Sequence, residues 1–141
     1  LNAGALTRHE VTLVRQFSPT EKISVDRTRI LQVLVNLIRN AKYACDEVES
    51  SEKKLTIGIT PSELGVRISV TDTGIGIPKE NLTKIFAYGF TTRKDGHGFG
   101  LHSSALAAKE MGGELTVESE GSGKGASFHL DLPLSIEEEP E

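Results

Sequence analysis

A chain of 141 residues with 37% hydrophobic and 26% charged side chains suits one soluble globular domain, large enough to bury roughly 70% of its unfolded surface without a disulfide or metal staple. A net charge of −4 argues against a non-specific nucleic-acid binder, whose surface would be basic. The single cysteine, Cys45, forms no internal disulfide and fits a reducing compartment, and no apolar run approaches the ~20 residues of a membrane span.

His9 to Phe17 alternates as a strand, with Val11 and Leu13 on one face. Ser18-Pro19-Thr20 is a turn. Asp26 stands where a helix N-cap belongs, and the spacing predicts a helix from Thr28 to Glu47. Ile30, Leu34, Leu37, Ile38, Ala41 and Ala44 form its expected core stripe. Asn36, Asn40, Tyr43 and Glu47 share another face. Leu55-Ile57-Ile59 and Val66-Ile68-Val70 alternate as two strands joined by a hairpin over Pro61 to Gly65. Pro78 to Phe86 reads as a short helix with proline at its start. Residues 87–100 read as a loop, and Leu101 to Met111 as a second long helix stopped by Gly112-Gly113. Leu115, Val117 and then Phe128, Leu130, Leu132 mark two closing strands around a Gly/Ser loop at 121–125. The order predicts an α+β, two-layer α/β sandwich: one mixed, mostly antiparallel sheet packed on about three helices. Residues 1–134 form the domain, and 135–141 an acidic solvated tail.

Three segments carry chemistry. Asn36 and Asn40 sit one turn apart in an otherwise apolar helix, although Asn is a mediocre helix former. An amide oxygen suits Mg²⁺, which keeps several waters and substrate phosphates in its shell. The same pair also fits two asparagines capping neighbouring loops. Next, the strand ending Val70-Thr71-Asp72 runs into Thr73-Gly74-Ile75-Gly76-Ile77-Pro78. A carboxylate at that point can accept the amino proton of adenine. Gly74 is expected to turn with positive φ and Gly76 to allow close approach of a ligand. The third segment runs from Phe86 through Phe90-Thr91-Thr92-Arg93-Lys94 to Gly96-His97-Gly98-Phe99-Gly100-Leu101. Its glycines lie just before a helix, whose N-terminal N–H groups bind phosphate. Arg93 and Lys94 can add charge-assisted bonds, while Phe86 and Phe90 anchor the ends. Two other phosphate motifs fail. Gly121-Ser122-Gly123-Lys124-Gly125 has no Ser or Thr after the lysine, and residues 96–100 do not spell a dinucleotide fingerprint.

In order, Asn36-x-x-x-Asn40, Asp72-x-Gly74-x-Gly76, Phe86 to Phe90, Gly96-x-Gly98-x-Gly100 and Gly123-x-Gly125 resemble the N, first G, F, second G and third G boxes. These boxes belong to the ATP-binding family shared by histidine kinases, DNA gyrase, Hsp90 and MutL. The likeness covers roughly residues 10–134. The stretch Ile85 to Arg93 with Gly96 to His102 looks most like the histidine kinase branch, close to nitrogen-regulation and related bacterial sensor kinases.

The resemblance implies a Bergerat-type ATP-binding fold, ATP and Mg²⁺ as cofactors, and a set of roles. Asn40 would ligate Mg²⁺, with Asn36 nearby. Asp72 would hold adenine, and Gly74, Gly76 and Ile77 would line the base pocket. Thr91, Thr92, Gly96, His97, Gly98, Phe99, Gly100 and Leu101 would cradle phosphates, and Arg93 and Lys94 would join Asn36 and Asn40 as the catalytic set. Tyr43 stands where many kinases place Lys or Arg. Ala126 replaces a common Thr, moving the expected polar contact to Ser127. Gyrase and MutL carry a glutamate base four residues before the metal-binding Asn. Here that position is Asn36, and an amide cannot serve as that base.

The implied activity is protein-histidine kinase: transfer of the γ-phosphoryl group to a histidine on a separate dimerisation domain of the same, homodimeric protein. A response regulator receiver domain would follow, with no nucleic acid or membrane contact by this domain and a cytoplasmic location. The alternatives are an ATPase clamp or an anti-sigma-type serine kinase. A start at Leu1 suggests a piece of a longer protein, with the acceptor histidine elsewhere; His9, followed by a β-like run, makes a poor acceptor.

Overall fold

A computed structural model describes residues 11–20, 22–48, 52–90 and 100–134. Strand β1 (Val11–Phe17) leads to helix α1 (Arg27–Asp46), then to β2 (Lys53–Pro61) and β3 (Gly65–Asp72). A 3-10 turn (Lys79–Asn81) follows, then helix α2 (Gly100–Glu110), β4 (Glu114–Glu118) and β5 (Ala126–Pro133). The five strands form one sheet in the order β1-β2-β3-β5-β4. Only the β1–β2 pair is parallel; the other three pairs are antiparallel. This is the expected mixed sheet with its helices in one layer. The described residues hold two α-helices rather than three, because the segment after Pro78 closes only single 3-10 turns and never reaches a helical ladder.

Local chemistry explains the element ends. Asp26 caps α1: its Oδ1 accepts from the backbone N–H of Thr28 (2.9 Å) and Arg29 (3.2 Å). At the end of α2, Gly112 takes φ +80°. Its N–H bonds the carbonyl of Lys109, and that of Gly113 bonds Ala108, which is a Schellman stop. A Cβ on Gly113 would meet the Asp131 carbonyl, so this glycine also lets the helix end press against β5.

On β3 and β5, Val66, Ile68, Val70 and Asp72 pair with Leu132, Leu130, Phe128 and Ala126. All eight are buried and face the helices. Phe128, fully buried, contributes about 2–3 kcal/mol of hydrophobic stabilisation. The α1 stripe is centred on Val33, Leu37, Ala41 and Cys45, a strict i, i+4 row. This is rotated from the expected stripe: Ile30, Leu34 and Ile38 pack at its side, and Ala44 turns towards a cleft.

The other sheet face carries polar cross-strand pairs. Arg67 forks onto Asp131 at 2.9 and 3.0 Å, the Ser69 hydroxyl lies 2.8 Å from His129 Nδ1, and the Thr71 hydroxyl lies 2.9 Å from that of Ser127. On the helical side, Arg29 bonds Glu110 at 3.2 Å, while Asn36 reaches the first turn of α2. The two helices therefore lie antiparallel, with the start of α2 beside the middle of α1.

Candidate functional site

The end of β3 buries an acid. Asp72 is 3% exposed, its Oδ1 accepts the Gly74 N–H at 2.8 Å, and its buried Oδ2 accepts no hydrogen bond from the described residues. Burial pushes its carboxyl up to about 6, with the N–H groups of Gly74 and Ala126 pulling the other way. An under-satisfied carboxylate oxygen in a protein interior is a group that a bound ligand or an ordered water can satisfy.

The backbone beyond Asp72 is held against α1 and against the 121–125 loop. The Ile75 N–H bonds the Ala44 carbonyl at 3.1 Å. A Cβ on Gly74 would lie 2.4 Å from the Ala44 carbonyl carbon, and one on Gly76 would lie 2.1 Å from the Gly121 oxygen. Gly76 is the residue with positive φ, at +76°. The two glycines thus exchange the roles expected of them: Gly74 permits close approach of helix and turn, and Gly76 turns the chain. Gly125 also takes positive φ, and its N–H bonds the Gly74 carbonyl at 3.2 Å.

These elements enclose a cleft of about 470 Å³, within the usual range for small-molecule sites. Asn40 and Tyr43 of α1 and its C-cap Glu47 line it, about one turn apart, as their shared face implied. Asp72, Gly76 and Ile77 line it from the sheet side, and Ala44, Ile75, Ile85 and Ala126 supply apolar walls. A cleft with apolar walls, polar α1 side chains along one side and one under-bonded acid suits a base bearing an amino group.

Other expected site residues fall elsewhere. Asn36 does not line the cleft; its Nδ2 donates to the Gly100 carbonyl at 3.3 Å and to the Ser104 hydroxyl at 3.1 Å. It thereby ties α1 to the first turn of α2. Gly100 and Leu101 form that turn. Ser127 points to the far face of the sheet, bonded to Thr71, because its neighbour Ala126 takes the cleft side and side chains alternate along a strand. The polar contact expected of Ser127 therefore does not reach this cleft. Thr91, Thr92, Arg93, Lys94, Gly96, His97, Gly98 and Phe99 lie outside the described residues, as do His9 and the acidic tail. Phe86 does act as an anchor: its ring meets Phe128 edge-on with centroids 6.1 Å apart, and its carbonyl lies 3.1 Å from His102 Nδ1.

Sequence reasoning missed Ser119, whose hydroxyl lies within hydrogen-bonding distance of four backbone groups around the glycine turns: the N–H groups of Ile77 and Gly121 and the carbonyls of Gly121 and Gly125. No motif marks it, since a serine after a strand is an ordinary loop residue.

Residues 25–136 match the family of histidine kinase-, DNA gyrase B-, and HSP90-like ATPases. The chain belongs to this ATPase family. Sensor histidine kinase ZraS of Escherichia coli K12 is 39% identical over 117 residues, which span 82% of this chain and 24% of that protein. Sensor protein TdiS of Thauera aromatica is 35% identical over 130 residues, 90% of this chain and 24% of that protein. Among solved structures, the catalytic domain of histidine kinase ThkA superposes with a TM-score of 0.80 at 30% identity, covering 94% of this chain and 86% of that one. These likenesses put the chain on the histidine kinase side of the ATPase family, among its catalytic, ATP-using domains. The chain spans about a quarter of the length of the sensor proteins it matches.

Proposed function

We propose that this domain binds ATP with Mg²⁺ and donates the γ-phosphoryl group to a histidine on a separate dimerisation domain of its parent protein. The buried, unbonded Oδ2 of Asp72 at the end of an apolar cleft carries the reading. It suits the 6-amino group of adenine, whose planar ring would pack on the apolar walls of the cleft. The base would lie between Ile77 and the Ala44 face of α1. The phosphates would extend along α1 past Asn40 towards the first turn of α2, whose N-terminus favours anions. Asn40 would hold Mg²⁺ through its amide oxygen, and the ion would neutralise charge on the phosphates.

Phosphoryl transfer depends mainly on positioning and charge neutralisation, so the domain needs no nucleophile of its own. Arg93 and Lys94 are the cations proposed for the transferring group, with the Gly96–Phe99 backbone around it. Asn36 favours transfer over hydrolysis: its side chain carries no carboxylate and already spends its Nδ2 on Gly100 and Ser104. A response regulator receiver domain would take the phosphoryl group from the histidine, in the cytoplasm. Titration calorimetry tests the first step. The chain should bind ATP with Mg²⁺ and lose that binding at least tenfold in Asp72→Ala, and equal binding by parent and variant would refute the site.

A further inference from the structure

The Ser119 hydroxyl sits at the crossing of two loops. It accepts the Ile77 N–H at 3.0 Å and the Gly121 N–H at 3.2 Å, and donates to the Gly125 carbonyl at 2.6 Å. Ser119 itself follows β4, away from the cleft lining. The groups it bonds are the ones that place the cleft wall. Ile77 is a wall residue, Gly121 presses on Gly76, and Gly125 bonds Gly74. A backbone N–H such as that of Ile77, in a segment outside any strand or helix, has no ladder partner to replace a lost acceptor.

We infer that Ser119 is a positioning residue of the nucleotide site, holding the Gly76–Ile77 backbone at the height where it walls the base. The inference rests on the ATP-binding reading and adds a residue that never touches the ligand. The hydroxyl works because one oxygen both accepts and donates, joining the turn after β3 to the loop before β5 with a single atom. Alanine would leave two N–H groups without their acceptor and free the turn to drift. Threonine keeps the oxygen.

The test measures ATP binding by calorimetry and amide hydrogen exchange on the 141-residue chain. Ser119→Ala should weaken ATP binding about tenfold, the size expected from losing partly buried hydrogen bonds that leave N–H groups without an acceptor. The Ile77 and Gly121 amides should exchange faster, while Phe128 and Leu130 in the core strand stay protected. Ser119→Thr should restore both the affinity and the slow exchange. In the unsubstituted chain, ATP should slow exchange at Ile77 and Gly121 at least tenfold, a readout that does not depend on any variant folding. If the parent binds ATP and Ser119→Ala binds within twofold of it, or if ATP leaves those two amides unchanged, the role of Ser119 is overturned and the ATP site stands. If the parent binds no ATP, both fall.

Discussion

Replacing Asp72 with asparagine should make the nucleotide-free domain more stable while abolishing tight ATP binding. Burial lifts the Asp72 carboxyl from 3.8 to about 6. Between those values the folded chain binds more protons than the unfolded one, so its stability falls as pH rises and levels off above pH 6. At pH 8 the buried charge costs about 3 kcal/mol. Asparagine removes the charge and keeps an oxygen for the Gly74 N–H, now at 2.8 Å. It also puts an amide NH₂ where Oδ2 is buried without a partner, which takes back about 1–2 kcal/mol. The net gain at pH 8 is about 1–2 kcal/mol, or roughly 3–8 °C in Tm. Urea denaturation without nucleotide at two pH values is the assay. The advantage of the variant should shrink by about 1.4 kcal/mol between pH 8 and pH 5, as the parent takes up its proton. A variant less stable than the parent at pH 8, or a difference unchanged at pH 5, would refute the reasoning.

ATP affinity should fall below pH 6, by up to about tenfold per pH unit, as Asp72 takes up a proton on the oxygen that would accept from the base; calorimetry across pH 5–8 on the parent chain should show this slope. Gly74→Ala should cost about 2 kcal/mol or more in urea denaturation and weaken ATP binding, because its Cβ meets the Ala44 backbone at 2.4 Å. Gly89→Ala, with open space around it despite φ +85°, should cost only about 1 kcal/mol. Asn36→Asp replaces a donor to Gly100 and Ser104 with an acceptor, and should lower stability by about 1–2 kcal/mol without raising phosphate release from ATP. Arg67→Ala strands the largely buried Asp131 on the far sheet face, and should cost about 1–3 kcal/mol in denaturation while leaving the Kd for ATP unchanged.

Patterns with a strict period were legible in the sequence. Alternation placed β2, β3 and β5, and the Asp26 cap and the Gly112-Gly113 stop set helix ends within a residue. Asn40, Tyr43, Asp72, Gly76 and Ile77 meet in one cleft because α1 presents one face and β3 ends beside it; spacing placed the α1 residues on a common face, and only the family resemblance joined them to Asp72. What escaped depends on contacts between distant segments. The exchange of roles between Gly74 and Gly76 follows from how closely α1 approaches the turn, and no local pattern encodes that distance. Ser127 was misassigned because one residue of register moves a side chain to the other sheet face. Asn36 bonds residues 64 and 68 positions away, and Ser119 bonds Ile77, 42 positions away. The expected helix after Pro78 failed because a proline start alone does not supply a ladder of i to i+4 bonds.

The proposed chemistry comes down to where the γ-phosphoryl group goes. Mixing the chain, γ-labelled ATP, Mg²⁺ and the proposed histidine-bearing dimerisation domain should yield an acid-labile, base-stable label on that domain. The label should disappear when Asp72→Asn replaces the parent chain. Rapid release of labelled phosphate with no label on the dimerisation domain would contradict the proposed transfer and favour an ATPase clamp.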